Sequence, residues 1–136
     1  MSTKQNLEVM REIIAPMADG DVRPFVRALA DDIVWHVAGV SPWAGSYRGK
    51  ENLRAQLFGV VMGRLKQPYR LALKHLSGDG EFVTAVVHGV DNALLDGTPY
   101  PQQYCWVCRM QDGKLQEVTE FADTHLVMNV VGPPSA

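Results

Sequence analysis

Three ionisable side chains with acid–base chemistry lie in runs of mainly apolar residues: Glu120, His36 and His88. A carboxyl group that is partly removed from water has a raised pKa and can exchange protons near neutral pH. Histidine titrates in that range without any shift. The sequence therefore predicts all three as candidate catalytic residues for proton transfer, such as enolisation or aldol cyclisation. Each also has a structural interpretation, as a solvated or arginine-paired glutamate and as histidines bonded to backbone.

The closing hairpin decides which side chains share a face with Glu120. Asp112-Gly113 separates two β-compatible runs and is typical of a two-residue type I′ turn. That turn pairs Cys105 with Glu120, and a similar count through Asp96-Gly97 places His88 opposite Cys105. Because successive side chains alternate between the faces of a strand, one face is expected to hold Cys105, Val107, Val118, Glu120 and Ala122.

The two faces of this sheet are expected to have different uses. The acid, a histidine and a thiol among valines predict a pocket, with Trp43 and Tyr47 from a preceding loop at its mouth. The expected substrate-binding residues are Trp43, Tyr47, Cys105, Val107, Val118 and Ala122. The opposite, aromatic face predicts a homodimer interface. Its expected members are Tyr104, Trp106 and Phe121.

The elements that must position these residues change character along the chain. Apolar spacing predicts three helices in the front half, the first through Leu7 and Met17, the second after Asp21, and the third over 50–63. A short strand over 33–38 precedes the third helix. Four β-compatible runs follow at 69–76, 81–92, 98–110 and 115–128. This order predicts an α+β fold with helices packed on one face of a curved, mostly antiparallel sheet.

Composition narrows the class of protein. The chain has 136 residues, is 46% hydrophobic, and carries a formal net charge of −2. One domain over 1–131 with a C-terminal tail at 132–136 is expected. Without a clustered basic run, nucleic acid and membrane surfaces are not expected as partners. The N-terminus has no apolar signal core, so a cytoplasmic protein is expected.

Metal and nucleotide chemistry are also disfavoured. Cys105-x-x-Cys108 has a metal-like spacing, but on a strand the two thiols point to opposite faces, and no second cysteine pair exists. Glycine-rich phosphate loops and a Gly-x-Ser-x-Gly elbow are missing from the sequence. We therefore expect no metal and no cofactor.

Several motifs in order resemble a known family. They are Asp19-Gly20-Asp21, Ala30-Asp31-Asp32-Ile33-Val34-Trp35, the loop Gly39…Pro42…Gly45…Tyr47-Arg48-Gly49-Lys50, and Asp112-Gly113-Lys114-Leu115…Glu120-Phe121-Ala122-Asp123. Across nearly the whole chain, this order resembles the SnoaL-like and ketosteroid-isomerase-like group of the nuclear-transport-factor-2-like superfamily. The resemblance implies a conical α+β barrel, an apolar pocket and a homodimer.

Only some of the functional residues that the resemblance implies have a matching side chain in this sequence. Against ketosteroid isomerases, the general-base Asp falls on His36, the oxyanion-hole Asp at or near Cys105, and the oxyanion-hole Tyr near Ile13. Ketosteroid isomerisation itself is therefore not expected. Against SnoaL-type polyketide cyclases, the closing-strand acid falls on Glu120.

Two functions remain open. The first is a cofactor-independent isomerase- or cyclase-type enzyme, or a related lyase or hydrolase, acting on a small apolar molecule through Glu120. The second is a non-catalytic ligand-binding or protein-interaction module of the same fold. Burying an acid beside histidines is costly without a purpose, which favours the enzyme.

Overall fold

Six strands form one mixed sheet, in the order β2-β1-β6-β5-β4-β3. The computed structural model describes residues 1–135. The helices are α1 (Thr3–Ile14), α2 (Arg23–Ala28), α3 (Lys50–Leu53), α4 (Gly59–Met62) and α5 (Thr124–Leu126). The strands are β1 (Leu29–Val37), β2 (Gly45–Arg48), β3 (Leu71–Asp79), β4 (Phe82–Gly89), β5 (Gln103–Gln111) and β6 (Lys114–Ala122). Strands β1 and β6 are parallel, and all other neighbours are antiparallel. The predicted α+β class is confirmed.

Local interactions explain where α1 begins, and a local change of winding interrupts the predicted third helix. Ser2 caps α1, because its hydroxyl accepts from the Gln5 backbone while the Gln5 side chain accepts from the Ser2 backbone. The predicted third helix is continuous in space but contains a wider π-helical turn, Arg54–Phe58, between α3 and α4. Such wide turns often mark functional regions, and this one lines the cavity described below.

Two predicted boundaries near the first strand are wrong. Strand β1 begins at Leu29 rather than residue 33, because it pairs in parallel with β6 from Leu29 onwards, across a bulge. The segment Gly45–Arg48, expected within a loop, is the edge strand β2, with Tyr47 paired to Trp35. In both places, pairing with a distant segment decides the structure.

Of the two predicted Asp-Gly hairpins, one is confirmed. Asp112 and Gly113 have φ of 51° and 76°, and Gln111 pairs with Lys114 across them. At Asp96-Gly97 the chain also reverses, with Ala93 paired antiparallel to Pro99, but this turn lies within the connection between β4 and β5, and its pairing differs by one residue from the predicted register. There the Asp96 carboxylate accepts from the backbone and hydroxyl of Thr98, an interaction within the loop.

A β-bulge overturns the predicted register of the last hairpin. Met110 pairs with Leu115, but Arg109 pairs with Glu117, so Gln116 is an extra residue on β6. Beyond the bulge every pairing shifts by one, and Glu120 faces Trp106 instead of Cys105. A shift of one residue exchanges the faces of a strand relative to its partner. The inner face of β5 and β6 therefore holds Tyr104, Trp106, Cys108, Val118, Glu120 and Ala122.

The predicted position of His88 is wrong as well. His88 pairs with Gln103, while Val86 pairs with Cys105. The shift is of two residues, so His88 and Cys105 still share a face, but that face is the outer one. The acid and the histidine are consequently on opposite sides of the sheet.

The core lies between the inner face of the sheet and the helices. Trp35 is fully buried and packs edge-on against Phe58, with ring centroids 5.0 Å apart. Phe25 from α2 contacts Trp106 at 5.2 Å. In residues 1–135, no helix has both the length and the apolar character needed to cross a bilayer.

Candidate functional site

A cavity of about 590 Å³ lies between the inner face of the sheet and the helices. Most of its wall is apolar or aromatic, with contributions from α2, the α3–α4 segment, β5, β6 and residues after β6. The polar or ionisable side chains on the wall are Ser41, Glu51, Arg54, Tyr69, Tyr100, Gln102, Tyr104, Glu120 and Thr124. Sites for small molecules typically combine an apolar wall with few polar groups in this way.

Glu120 is the buried acid of this cavity, with 9% of its surface exposed. Its Oε1 accepts a hydrogen bond of 3.0 Å from the indole N–H of Trp106. Burial raises the pKa of Glu120 to about 7, although the hydrogen bond from the Trp106 indole N–H acts in the opposite direction. Loss of hydration therefore outweighs that hydrogen bond. Near neutral pH, this carboxyl can both accept and return a proton.

Three tyrosines carry hydroxyl groups into the same cavity. The hydroxyls of Tyr69 and Tyr104 are 2.7 Å apart, and that of Tyr100 accepts 3.1 Å from Gln102 Nε2. Burial raises the pKa of Tyr100 to about 12 and shifts the pKa values of Tyr69 and Tyr104 upward too. All three therefore remain protonated and act as hydrogen-bond donors near neutral pH.

The hydroxyl protons of these tyrosines are not all used in hydrogen bonds within the cluster. The Tyr69–Tyr104 contact uses one of its two hydroxyl protons, because only one oxygen can donate across it. Tyr100 accepts from Gln102 and keeps its own proton. At least one hydroxyl proton of the cluster is thus left for an acceptor atom within the cavity. A carbonyl oxygen would be such an acceptor.

His36, a predicted partner of Glu120, lies on the outer face of the sheet. Its Nδ1 is 2.7 Å from Ser46 Oγ, and its Nε2 is 2.7 Å from a carboxylate oxygen of Glu117. Arg109 lies on the other side of that carboxylate, 3.6 Å away. These contacts link β2, β1, β6 and β5 across the surface. The structure does not bring His36 or His88 to Glu120, and the expectation of a shared face is wrong.

The predicted pocket residues separate into three groups. Trp43 and Ala122 line the cavity, whereas Val118 is buried on the inner face without lining it. Tyr47 donates from its hydroxyl to the Trp43 carbonyl at 2.8 Å and so helps to hold the loop that carries Trp43. Cys105 and Val107 project from the outer face, because the bulge reversed their side of the sheet.

The predicted dimer residues also lie on different faces of the sheet. Tyr104 and Trp106 line the cavity and are not on the outer surface. Phe121 remains outside, with 50% of its surface exposed. The bulge at Gln116 explains both placements, since it turns the inner side of β5 toward Glu120.

Metal-binding side chains do not converge in the described part of the chain: no group of three His, Cys, Asp or Glu could hold an ion. Cys105 is half-buried on the outer face, while Cys108 is buried on the inner one. Burial raises the pKa of the Cys108 thiol to about 12, so it behaves as an apolar core group.

Sequence reasoning missed Tyr69, Tyr100 and Gln102. The first two have 5% and 1% of their surface exposed and follow Pro68 and Pro99. A tyrosine beside proline in a β-rich region is a weak signal, because its hydroxyl must find a partner when the ring is buried. Gln102 gives no comparable signal in the sequence.

Comparisons with known proteins agree on the fold. The sequence pattern of the SnoaL-like domain matches residues 10–118 and ends two residues before Glu120. No curated protein shows a significant sequence match to the chain. Among solved structures, an NTF2-like protein from Burkholderia thailandensis is similar over 98% of this chain and 100% of its own, with 22% identity and a TM-score of 0.76.

Two further solved structures have names that suggest activities. A proposed SnoaL-like polyketide cyclase from Jannaschia sp. matches 96% of this chain and 93% of its own, at 16% identity and a TM-score of 0.69. A proposed ketosteroid isomerase from Kribbella flavida matches 89% of this chain and 79% of its own, at 18% identity and a TM-score of 0.62. At such identities the likeness shows a shared fold.

Proposed function

The chain belongs to the SnoaL-like domain family, and on that basis we propose that it catalyses proton transfer on a small, largely apolar carbonyl compound. The reaction is of the isomerase or cyclase type and needs no cofactor. One observation carries this proposal. Glu120 is a buried carboxyl in an apolar cavity, and its pKa of about 7 suits proton exchange at neutral pH.

In the proposed step, the ionised Glu120 carboxylate takes a proton from the carbon next to the carbonyl group. The electron pair of the broken C–H bond moves into the new carbon–carbon double bond, and negative charge develops on the carbonyl oxygen. A hydroxyl of the Tyr69–Tyr104 pair or of Tyr100 donates to that oxygen. Return of the proton from Glu120 to another carbon completes an isomerisation. In a cyclisation the enolate carbon instead attacks a second carbonyl, whose π electrons move to its oxygen, and the proton on Glu120 passes to that alkoxide.

Around Glu120 the cavity favours a neutral part of the ligand, since the cationic wall residue Arg54 is largely exposed and lies 3.8 Å from Glu51. A carboxylate ligand would meet Glu120 itself, and the tyrosines nearby carry no charge near neutral pH. The names of the Jannaschia and Kribbella proteins point to carbonyl-bearing cyclic molecules, which fit this description. Ketosteroid isomerisation itself is not proposed, because two of the positions on or near which the resemblance places its functional residues, His36 and Cys105, lie on the outer face of the sheet, away from the cavity.

The first experiment measures proton exchange by the wild-type protein. Small cyclic ketones and β,γ-unsaturated ketones are incubated in D₂O, and exchange of the C–H next to the carbonyl is followed by NMR between pH 5 and pH 9. We expect acceleration over buffer that rises with pH through a midpoint of about 7, because the ionised carboxylate is the base. A ketone that binds the cavity but exchanges no faster than in buffer would contradict the proposal and favour a non-catalytic binding module.

We also propose that the protein is a homodimer joined through the outer face of the sheet. Val86, Cys105 and Phe121 form one row in register across β4, β5 and β6. Phe121 and Phe82 expose 50% and 46% of their surfaces there. Apolar side chains gathered on one open face are typical of protein interfaces.

Light scattering after gel filtration tests this interface. The wild type is expected at twice the chain mass of 15.1 kDa, and Phe121→Asp at the chain mass, because a charge would be buried against its own copy. Leu95→Asp is the control, since Leu95 is 65% exposed in a distant loop. A wild type that is monomeric at micromolar concentration would refute the dimer.

A further inference from the structure

The chain after β6 forms a short helical segment that contributes to the cavity wall. We name residues 124–134 the C-terminal lid; it contains α5 and the π-helical turn Val127–Val131. Thr124 and Val127 from this lid line the cavity. Within the lid Val131 is buried, and four further apolar residues are partly buried and pack against the core: Leu126, Val127, Met128 and Val130. Polar contacts at the two ends of the lid add to this packing.

Two side chains hold the far end of the lid, Trp43 from the cavity wall and Arg64 from the segment after α4. The Arg64 guanidinium donates to the carbonyls of Val131, Pro133 and Pro134, at 3.2, 2.7 and 3.1 Å. The Trp43 indole N–H donates to the Gly132 carbonyl at 2.9 Å. Arg64 also lies over the Trp43 ring, 5.7 Å from its centroid. These two residues form a latch that binds only backbone atoms of the lid.

The near end of the lid is fixed by a different pair. The Gln102 side chain accepts from the Asp123 N–H at 2.9 Å and donates to the Asp123 carbonyl at 3.0 Å. The Asp123 carboxylate then caps α5 by accepting from the Leu126 N–H. Gln102 itself lies in the cavity wall beside Tyr100. Side chains outside the lid therefore hold it at both ends, Gln102 at the near end and Arg64 with Trp43 at the far end.

We propose that the C-terminal lid controls access to the cavity and that Arg64 is the positioning residue that keeps it closed. Opening requires the guanidinium to leave three carbonyls that only a planar, multiply donating group can engage together. A ligand passes while the latch is open, so the rates of binding and release both scale with the open fraction. This inference rests on the proposed function only in assuming that ligands use this cavity.

Stopped-flow fluorescence with N-phenyl-1-naphthylamine, a neutral apolar probe, measures this control. We expect Arg64→Ala to raise the association and dissociation rates of the probe together, by about tenfold, with a much smaller change in Kd. Arg64→Lys is expected to resemble Arg64→Ala, because an ammonium cannot reproduce the planar fork. Trp43→Phe keeps a ring under Arg64 but removes the bond to Gly132, so a smaller change in the same direction is expected.

A second measurement needs no ligand. Hydrogen exchange at the Val127 and Gly132 amides, which donate to the carbonyls of Asp123 and Val127, is expected to accelerate in Arg64→Ala. The control is Arg11→Ala, which removes the same charge from an exposed position on α1. Unchanged exchange in the lid of Arg64→Ala would overturn the proposal, as would probe rates equal to wild type. If the rates respond but no ketone is turned over, the lid stands and the proposed enzymatic function fails.

Discussion

Replacing Glu120 by glutamine is expected to lower turnover of any ketone substrate by roughly 10²- to 10⁴-fold, the usual contribution of a general acid–base group. Glutamine has nearly the same shape, and its Oε1 can still accept from the Trp106 N–H. It cannot take up and return a proton at neutral pH. The substrate should therefore still bind, and the loss should appear in kcat rather than in KM.

Glu117→Gln is the matched control for this variant. Glu117 lies on the same strand, three residues away, but its carboxylate contacts His36 on the outer face. We expect its kcat and its pH profile to remain close to those of the wild type. Unchanged turnover in Glu120→Gln would exclude Glu120 as the proton-transfer group, whatever the other residues of the cavity do.

The same substitution at Glu120 is expected to make the folded protein more stable at high pH. Burial raises the pKa of Glu120 from 4.5 to about 7, so the folded state binds this proton more tightly than the unfolded state does. Stability from this group is therefore present below pH 4.5 and falls as pH rises toward 7. At 1.36 kcal/mol per pKa unit, the ionised carboxylate costs about 3 kcal/mol in the fold.

Urea unfolding at pH 5 and pH 8 measures this cost at a fixed protein concentration. The advantage of Glu120→Gln over wild type should grow by about 2 to 3 kcal/mol between the two pH values. Comparing one variant at two pH values removes any constant cost of burying the glutamine amide. An advantage that does not change between pH 5 and pH 8 would show that Glu120 titrates normally.

Glu117→Gln should respond to pH in the opposite sense. The hydrogen bond from His36 holds the pKa of Glu117 below its usual value. That contribution to stability is present above the unfolded pKa and is lost as pH falls through the folded one. At neutral pH, Glu117→Gln thus loses a contribution that stabilises the wild-type fold, whereas Glu120→Gln loses a contribution that destabilises it. Loss of activity with gain of stability in one variant is the pattern of an acid kept for function.

Local sequence was sufficient for several features of this fold. Asp112-Gly113 forms the predicted tight turn, because both of its residues adopt positive φ. The helices-then-strands order and the family motifs predicted the α+β architecture correctly. Glu120 was singled out from its apolar neighbours, and it is the buried acid of the cavity.

The side chains that surround Glu120 could not be predicted from local sequence. The sequence predicts His36 and His88 as partners of Glu120 because both lie in apolar runs, yet both are on the outer face. Tyr104 and Trp106 were assigned to a dimer surface, yet both line the cavity. In every case the residue type was informative, but the side of the sheet was not.

Local sequence was enough for the order of helices and strands, the sharp turn of the closing hairpin and the presence of an acid in an apolar run. Those properties depend on near neighbours: on alternation, on capping and on the conformations open to Asp-Gly. Tertiary structure decided what surrounds the acid. Gln116 is accommodated as a bulge, with its side chain 2.8 Å from Asp32 on β1. Because this contact joins segments far apart in the chain, no local pattern encodes it, and one extra residue places Glu120 among tyrosines and tryptophans instead of histidines.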